Sequence, residues 1–311
     1  MFELAIDADR NIGNRAFHYL HKYRLTKPLG GKKSSVPENT QVLIRVLEYL
    51  EEFAADAQEV NHVYFFVRNC AGAGATLVNE ENEKVLNVEE MASLLSKQRQ
   101  ELGLTLRQLT LLAVLLKATV QLFHDNQEEG AFYAKMNEVV VPHIAELVTT
   151  YKTDSAVYRP LVEIIEFLQF PDFASISAIA SLLLSLFEKE GDSVFGNRIL
   201  NTLTHIHVIE KAGTDASIAR LLHEACARIA AAWSQRYDGL MLELTALKEE
   251  AMEPALAERL EPLCGELGQL CNLLCYQDET AALDAANVAG TVEVLLLDVA
   301  NSRSGGCGEC V

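Results

Sequence analysis

An aspartate followed at steps of three, four and four by residues of the kind that become buried recurs along this chain. It constrains the fold more than any other sequence feature. The copies are Asp9, Ile12, Ala16, Leu20, then Asp154, Val157, Leu161, Ile165, then Asp215, Ile218, Leu222, Cys226, with a looser one at Asp278, Ala281, Ala285. A carboxylate at a helix start accepts the free N–H groups of the first turn, and residues four apart line one stripe. Short helices of this kind cannot bury their stripe alone and must stack on their neighbours. The phrase therefore predicts an all-α chain, an α-solenoid of HEAT/armadillo-like helical pairs wound into a right-handed superhelix.

Half of the 311 residues are apolar, enough for a large core, and seven Pro and seventeen Gly are few, as long helices with short connections require. No uninterrupted apolar run of eighteen residues is present, which argues against a membrane span. The opening MFELAIDADRNIGNR lacks the basic-then-apolar order of a secretory leader. Seven cysteines, an odd number with no small-domain framework, fit reduced thiols. These readings place the chain inside the cell, in the nucleus or alternatively the cytoplasm.

The net charge of −18 argues against a surface that binds nucleic acid throughout. The charge is unevenly spread, because residues 10–35 hold Arg10, Arg15, Lys22, Arg24, Lys27, Lys32 and Lys33 and no acid. Subtracting those seven cations from −18 leaves about −25 for the rest. A basic end on an acidic body predicts contact with phosphate or with an acidic partner, and Arg10, Arg15, Lys32 and Lys33 are the residues expected to meet DNA or a partner.

Along the chain, residues 1–25 read as the second half of a repeat, so a longer array is expected. Residues 26–39 form a basic loop, 40–300 a helical-repeat array, and 301–311 a disordered tail. Asn39 or Thr40 is expected to open a helix with apolar residues at 43, 46, 47, 50 and 53. The segment 60–70 fits helix or strand. Asn87 with Glu90 predicts a capping-box start for a helix reaching about residue 101. The stretch 104–123 is apolar nearly all round and should be central. Further helices are expected near 128–150, 155–169, 173–189, 194–210, 215–236, 240–276 and 279–300, with Pro160 and Pro171 early enough in their segments to cost little.

No catalytic set is legible. GGKKSS at 30–35 lacks the spacing and the preceding strand of a phosphate-binding loop, and AGAGA at 71–75 lacks a βαβ unit. His205 and His207 would share a face on a strand but diverge on the helix that their neighbours favour. Cys264, Cys271 and Cys275 fall on one helical stripe as small buried apolar groups. Cys307 and Cys310 make a C-x-x-C pair that could bind zinc or cycle redox, an open alternative, although no second pair completes a zinc site. No enzyme, cofactor or metal reading has a specific foothold.

Cys226 seven residues before Trp233, LTALKEE at 244–250, LCGELGQLCNLLC at 263–275, Asp278, and VEVLLLDVA with Asp298 together resemble stromalin, the SA/STAG-type HEAT-repeat subunit of cohesin. LIRVLEYLEEFA at 43–54 and IAELVTTYKTDSAVYRPLVEIIEFLQFPDF at 144–173 are similar to that family's helices in the same order. The interval between the two stretches is shorter than in the family, and ARLLHEACARIAAAW carries Ala where the family has larger groups. The resemblance implies a non-enzymatic scaffold that holds a kleisin-type subunit and other ring components and touches DNA, in sister-chromatid cohesion and chromosome organisation. A transport or trafficking adaptor that binds peptide cargo without DNA is the alternative.

Overall fold

The computed structural model describes residues 2–27, 37–53, 59–72, 87–98, 102–126, 129–170, 173–189, 193–211, 217–246 and 267–270. Among these the regular structure is helical throughout, and no strand occurs. The chain divides into two compact units, Met1–Ser175 and Ile176–Val311.

In the first unit a 3₁₀ turn, Phe2–Ile6, leads into α1, Arg10–Leu20, which a π-helical turn extends through His21–Leu25. Then come α2 (Glu38–Phe53), α3 (Glu59–Gly72), α4 (Val88–Ser93) with a π-helical turn at Leu94–Gln98, and α5 (Leu106–Asn126). The helices α6 (Glu129–Val139), α7 (Val141–Tyr151) and α8 (Ser155–Ile165) complete it. The segment 60–70 is thus helix α3, buried on Val63, Phe66, Val67 and Cys70, a spacing of three, one and three that only a helical face produces.

Two rows of helices emerge from the packing. In one, α1 lies on α3, α3 on α5, and α5 on α8; in the other, α2 touches α4, and the turn after α4 touches α7. Tyr151 of α7 donates its hydroxyl to the Leu95 carbonyl at 2.8 Å, a buried bond within the second row. The helix α5 also packs against α2, α4 and α6, so it belongs to the first row and backs the second. Its sequence explains this place: Leu111 to Leu116 are six consecutive buried residues. By length and composition α5 could cross a membrane, but 72% of its apolar window is buried inside the protein, the pattern of a core helix. Its start is a capping box, Thr105 Oγ1 accepting the Gln108 N–H and Gln108 Oε1 accepting the Thr105 N–H, both at 3.2 Å. Gln108 Nε2 also donates to Glu51 of α2 at 2.9 Å.

The Asp-led phrase has two different outcomes. Asp9 accepts the Asn11 and Ile12 N–H groups at 2.8 and 3.2 Å, as a cap should. Its stripe is buried at Ala16 and Leu20, but Ile12 is 43% exposed. Before α8 the reverse holds: Val157, Leu161 and Ile165 are fully buried, while Asp154 makes no side-chain capping bond. Asp9→Ala is therefore expected to cost about 1 kcal/mol, and Asp154→Ala under about 0.5 kcal/mol, in urea melts followed by circular dichroism. Equal losses at the two sites would contradict this assignment.

Several boundaries differ from the sequence reading. Helix α2 begins at Glu38, so Thr40 does not cap it; Thr40 is buried and donates its hydroxyl to Glu90. Asn87 does cap α4, accepting from Glu89 and Glu90 N–H, but that contact with Thr40 engages the Glu90 carboxylate. The expected helix over 128–150 breaks at Val140, because Pro142 has no N–H for the helical ladder and therefore sits in a first turn. Pro160 is the sixth residue of α8, inside the helix, where it removes one ladder bond.

The second unit contains most of α9 (Phe173–Phe187), then α10 (Ser193–Lys211), α11 (Ser217–Ala246) and the helical residues 267–270. The break expected between 236 and 240 is absent: α11 runs through Gly239 without interruption. Its buried stripe is Cys226, Ile229, Ala230, Trp233 and Tyr237. Arg228 Nε donates to Glu188 at 3.1 Å, and Gln269 Nε2 satisfies the Phe187 carbonyl at the end of α9 at 2.8 Å.

Candidate interaction surface

Of the four cations singled out in the sequence, Arg10 and Arg15 lie on α1 and are exposed; Lys32 and Lys33 fall outside the described residues. Five residues along a helix turn the chain by about 140°, so Arg10 and Arg15 do not form one point of contact. Neither guanidinium pairs with a described carboxylate. The basic segment is also not uniformly available. Arg24 pairs with Glu52 of α2, its guanidinium 5.8 Å from the Tyr49 ring centroid and 5.6 Å from that of Phe53. That cation holds α2 against the turn after α1.

A different surface carries a concavity. Between α3 and α5 lies a cleft of about 190 Å³ lined by Asn61, Tyr64, Val114, Lys117, Ala118 and Gln121. Residues 114, 117, 118 and 121 are one helical stripe, and 61 and 64 are one turn apart on the facing helix. Val114 and Ala118 are buried and form an apolar floor, whereas Asn61 is exposed and Gln121 half-buried. Lys117 reaches to Glu163 on α8, so the polar rim crosses three members of one row, α3, α5 and α8. The cleft is smaller than the roughly 300–1,000 Å³ of a small-molecule pocket. It matches a single side chain. The Asn61 and Gln121 carboxamides each offer donors and an acceptor, the complement of a peptide group, and neither is engaged by a described residue.

Nothing in the sequence had singled out this cleft. The signal was present as Lys117 and Gln121, four apart on one helical stripe of the largely apolar stretch 111–123.

The other sequence candidates distribute as follows. Residues 205 and 207 both lie on the helix α10 and not on a strand. Cys226 is buried on α11. Cys264, Cys271, Cys275, Cys307 and Cys310 lie outside the described residues, as do Asp215 and Asp278. Cys70 is fully buried in α3, and desolvation pushes its thiol well above the ordinary range, so it stays protonated and unreactive. Within the stromalin-like residues, Cys226 and Trp233 are both fully buried, which makes them packing residues of α11.

Comparison with known proteins gives no match: no protein-family model, no curated protein and no solved structure matches this chain.

Proposed function

We propose that this chain is a non-enzymatic helical-repeat scaffold that docks an extended segment of a protein partner along the row α1, α3, α5, α8. The observation that carries this reading is the cleft between α3 and α5, lined by two carboxamides and an apolar floor and sized for one side chain. Two rows of stacked helices, each member packed on its row neighbours, support the HEAT-like reading of the architecture. The stromalin-like residues supply the kind of partner, a kleisin-type chain with other ring components, and hence a nuclear setting.

The DNA contact expected of Arg10, Arg15, Lys32 and Lys33 has less support, since Arg24 is committed to Glu52 and the two α1 arginines diverge. A protein partner is therefore the reading put forward here.

The test places a photo-crosslinking residue at Gln121 in the full chain and maps the adducts formed in nuclear and cytoplasmic extracts. The expected result is a contiguous stretch of one partner, lost on Tyr64→Ala, with ring subunits recovered. Recovery of carriers or coat proteins instead moves the assignment to a transport adaptor. Adducts scattered over many proteins and unaffected by Tyr64→Ala would refute the docking cleft.

A further inference from the structure

The face of α1 opposite its buried stripe carries residues that the cleft does not use. Arg15, Tyr19 and Tyr23 recur at steps of four, and Lys22 adjoins them, so all four share one side of the helix. Tyr19 and Tyr23 are 49% and 47% exposed, yet their rings stack at 5.9 Å with planes 21° apart. Lys22 Nζ stands 5.3 Å from the Tyr23 ring centroid. Ile12 borders the same face at 43% exposure. A π-helical turn, a distortion frequent at functional sites, spans His21–Leu25 beneath it. Two large aromatics ordered against each other in water, flanked by an arginine and an exposed isoleucine, have the composition of a protein-binding hot spot.

We infer that this face docks an acidic protein segment bearing an aromatic or aliphatic anchor. Charge complementarity selects the occupant: Arg15 and Lys22 are exposed on this face, Lys27 is exposed just beyond it, and residues 10–35 contain no acid. A nucleic acid would also meet the cations and stack on the tyrosines. It fits less well on two counts. The exposed Ile12 has no role in phosphate or base contact, and a long polyanion would extend past the face toward a chain whose remaining residues sum to about −25. A short acidic segment ends where the basic face ends. This surface is separate from the α3–α5 cleft, and its failure leaves that reading intact.

Fluorescence anisotropy on the full chain tests the inference with two probes, a labelled peptide alternating Glu with Phe and Leu, and a labelled oligothymidylate. The peptide should bind, and raising salt from about 50 to 300 mM should weaken it about tenfold. Arg15→Glu with Lys22→Glu should abolish binding. Tyr19→Ala with Tyr23→Ala should weaken it about tenfold while keeping the salt dependence. All four positions are at the surface, and an unchanged helical circular dichroism spectrum confirms that the variants fold. The inference is overturned if the peptide does not bind, if it binds equally to both double variants, or if the oligothymidylate binds in its place.

Discussion

Gly13→Ala is expected to destabilise the chain by about 2 kcal/mol, although alanine is the better helix former by about 1 kcal/mol. Gly13 lies inside α1 and is buried against α3. A Cβ placed there would stand 2.0 Å from Asn69 Nδ2 and 2.3 Å from its Cγ. Asn69 has little freedom to move aside, because its amide is fully buried and donates to the Ala5 carbonyl at 3.1 Å and the Asp7 carbonyl at 2.9 Å. Swinging it away would leave those two carbonyls without their donor, each costing about 1–3 kcal/mol. The contact is the point where the N-terminal turn, α1 and α3 are fastened together. Asn69→Ala should itself cost about 2 kcal/mol, and the double variant Gly13→Ala with Asn69→Ala should cost less than the sum, since the second change removes the clash. Urea midpoints for the two single variants and the double variant decide this. A stabilised Gly13→Ala protein would mean that helix propensity alone governs α1.

Trp233→Ala is expected to cost the second unit about 3–5 kcal/mol. Trp233 is fully buried on α11 and lies parallel to Tyr237, their ring centroids 5.5 Å apart and their planes at 13°. It lies between Ala230 and Tyr237 on one buried stripe, so its loss opens a cavity within the stripe rather than at its end. Trp233→Phe should cost far less, about 1–2 kcal/mol, because most of the ring volume is kept. Helical circular dichroism follows both variants. Since Trp233 is the one tryptophan in the chain, its emission in the unaltered protein should be blue-shifted and shielded from acrylamide until this unit unfolds. A loss below about 1 kcal/mol for Trp233→Ala would show that α11 does not rest on this residue.

Helical class was legible because local physics sets it. The i, i+4, i+8 stripes at 157, 161 and 165 and at 16 and 20 are buried as their spacing requires, and the stretch 104–123 became the helix touching both rows. Side-chain capping was less legible: Asp9 caps and Asp154 does not, although the phrase is the same, because capping depends on backbone angles before the helix as well as on residue type. Pro142 was the missed signal for the break at Val140, and Gly239 did not end α11, because one glycine costs a helix only about 1 kcal/mol. The proposed docking surfaces were harder still. The cleft needs Asn61 and Tyr64 from one helix and Lys117 and Gln121 from another, and no single-segment pattern brings positions that far apart together. Arg24 looked like its basic neighbours until α2 supplied Glu52, Tyr49 and Phe53 around it.

The two rows of helices stand or fall with α5, which packs against α2, α3, α4, α6 and α8. Hydrogen exchange of the intact chain, read peptide by peptide, addresses it without any substitution. Amides between Leu109 and Phe123 should exchange only through opening of the whole first unit, with protection equal to the unfolding free energy from urea melts. If those amides instead exchange as fast as the ones in α6, at Glu129–Val139, then α5 is no shared spine and the proposed stacked-row reading is wrong.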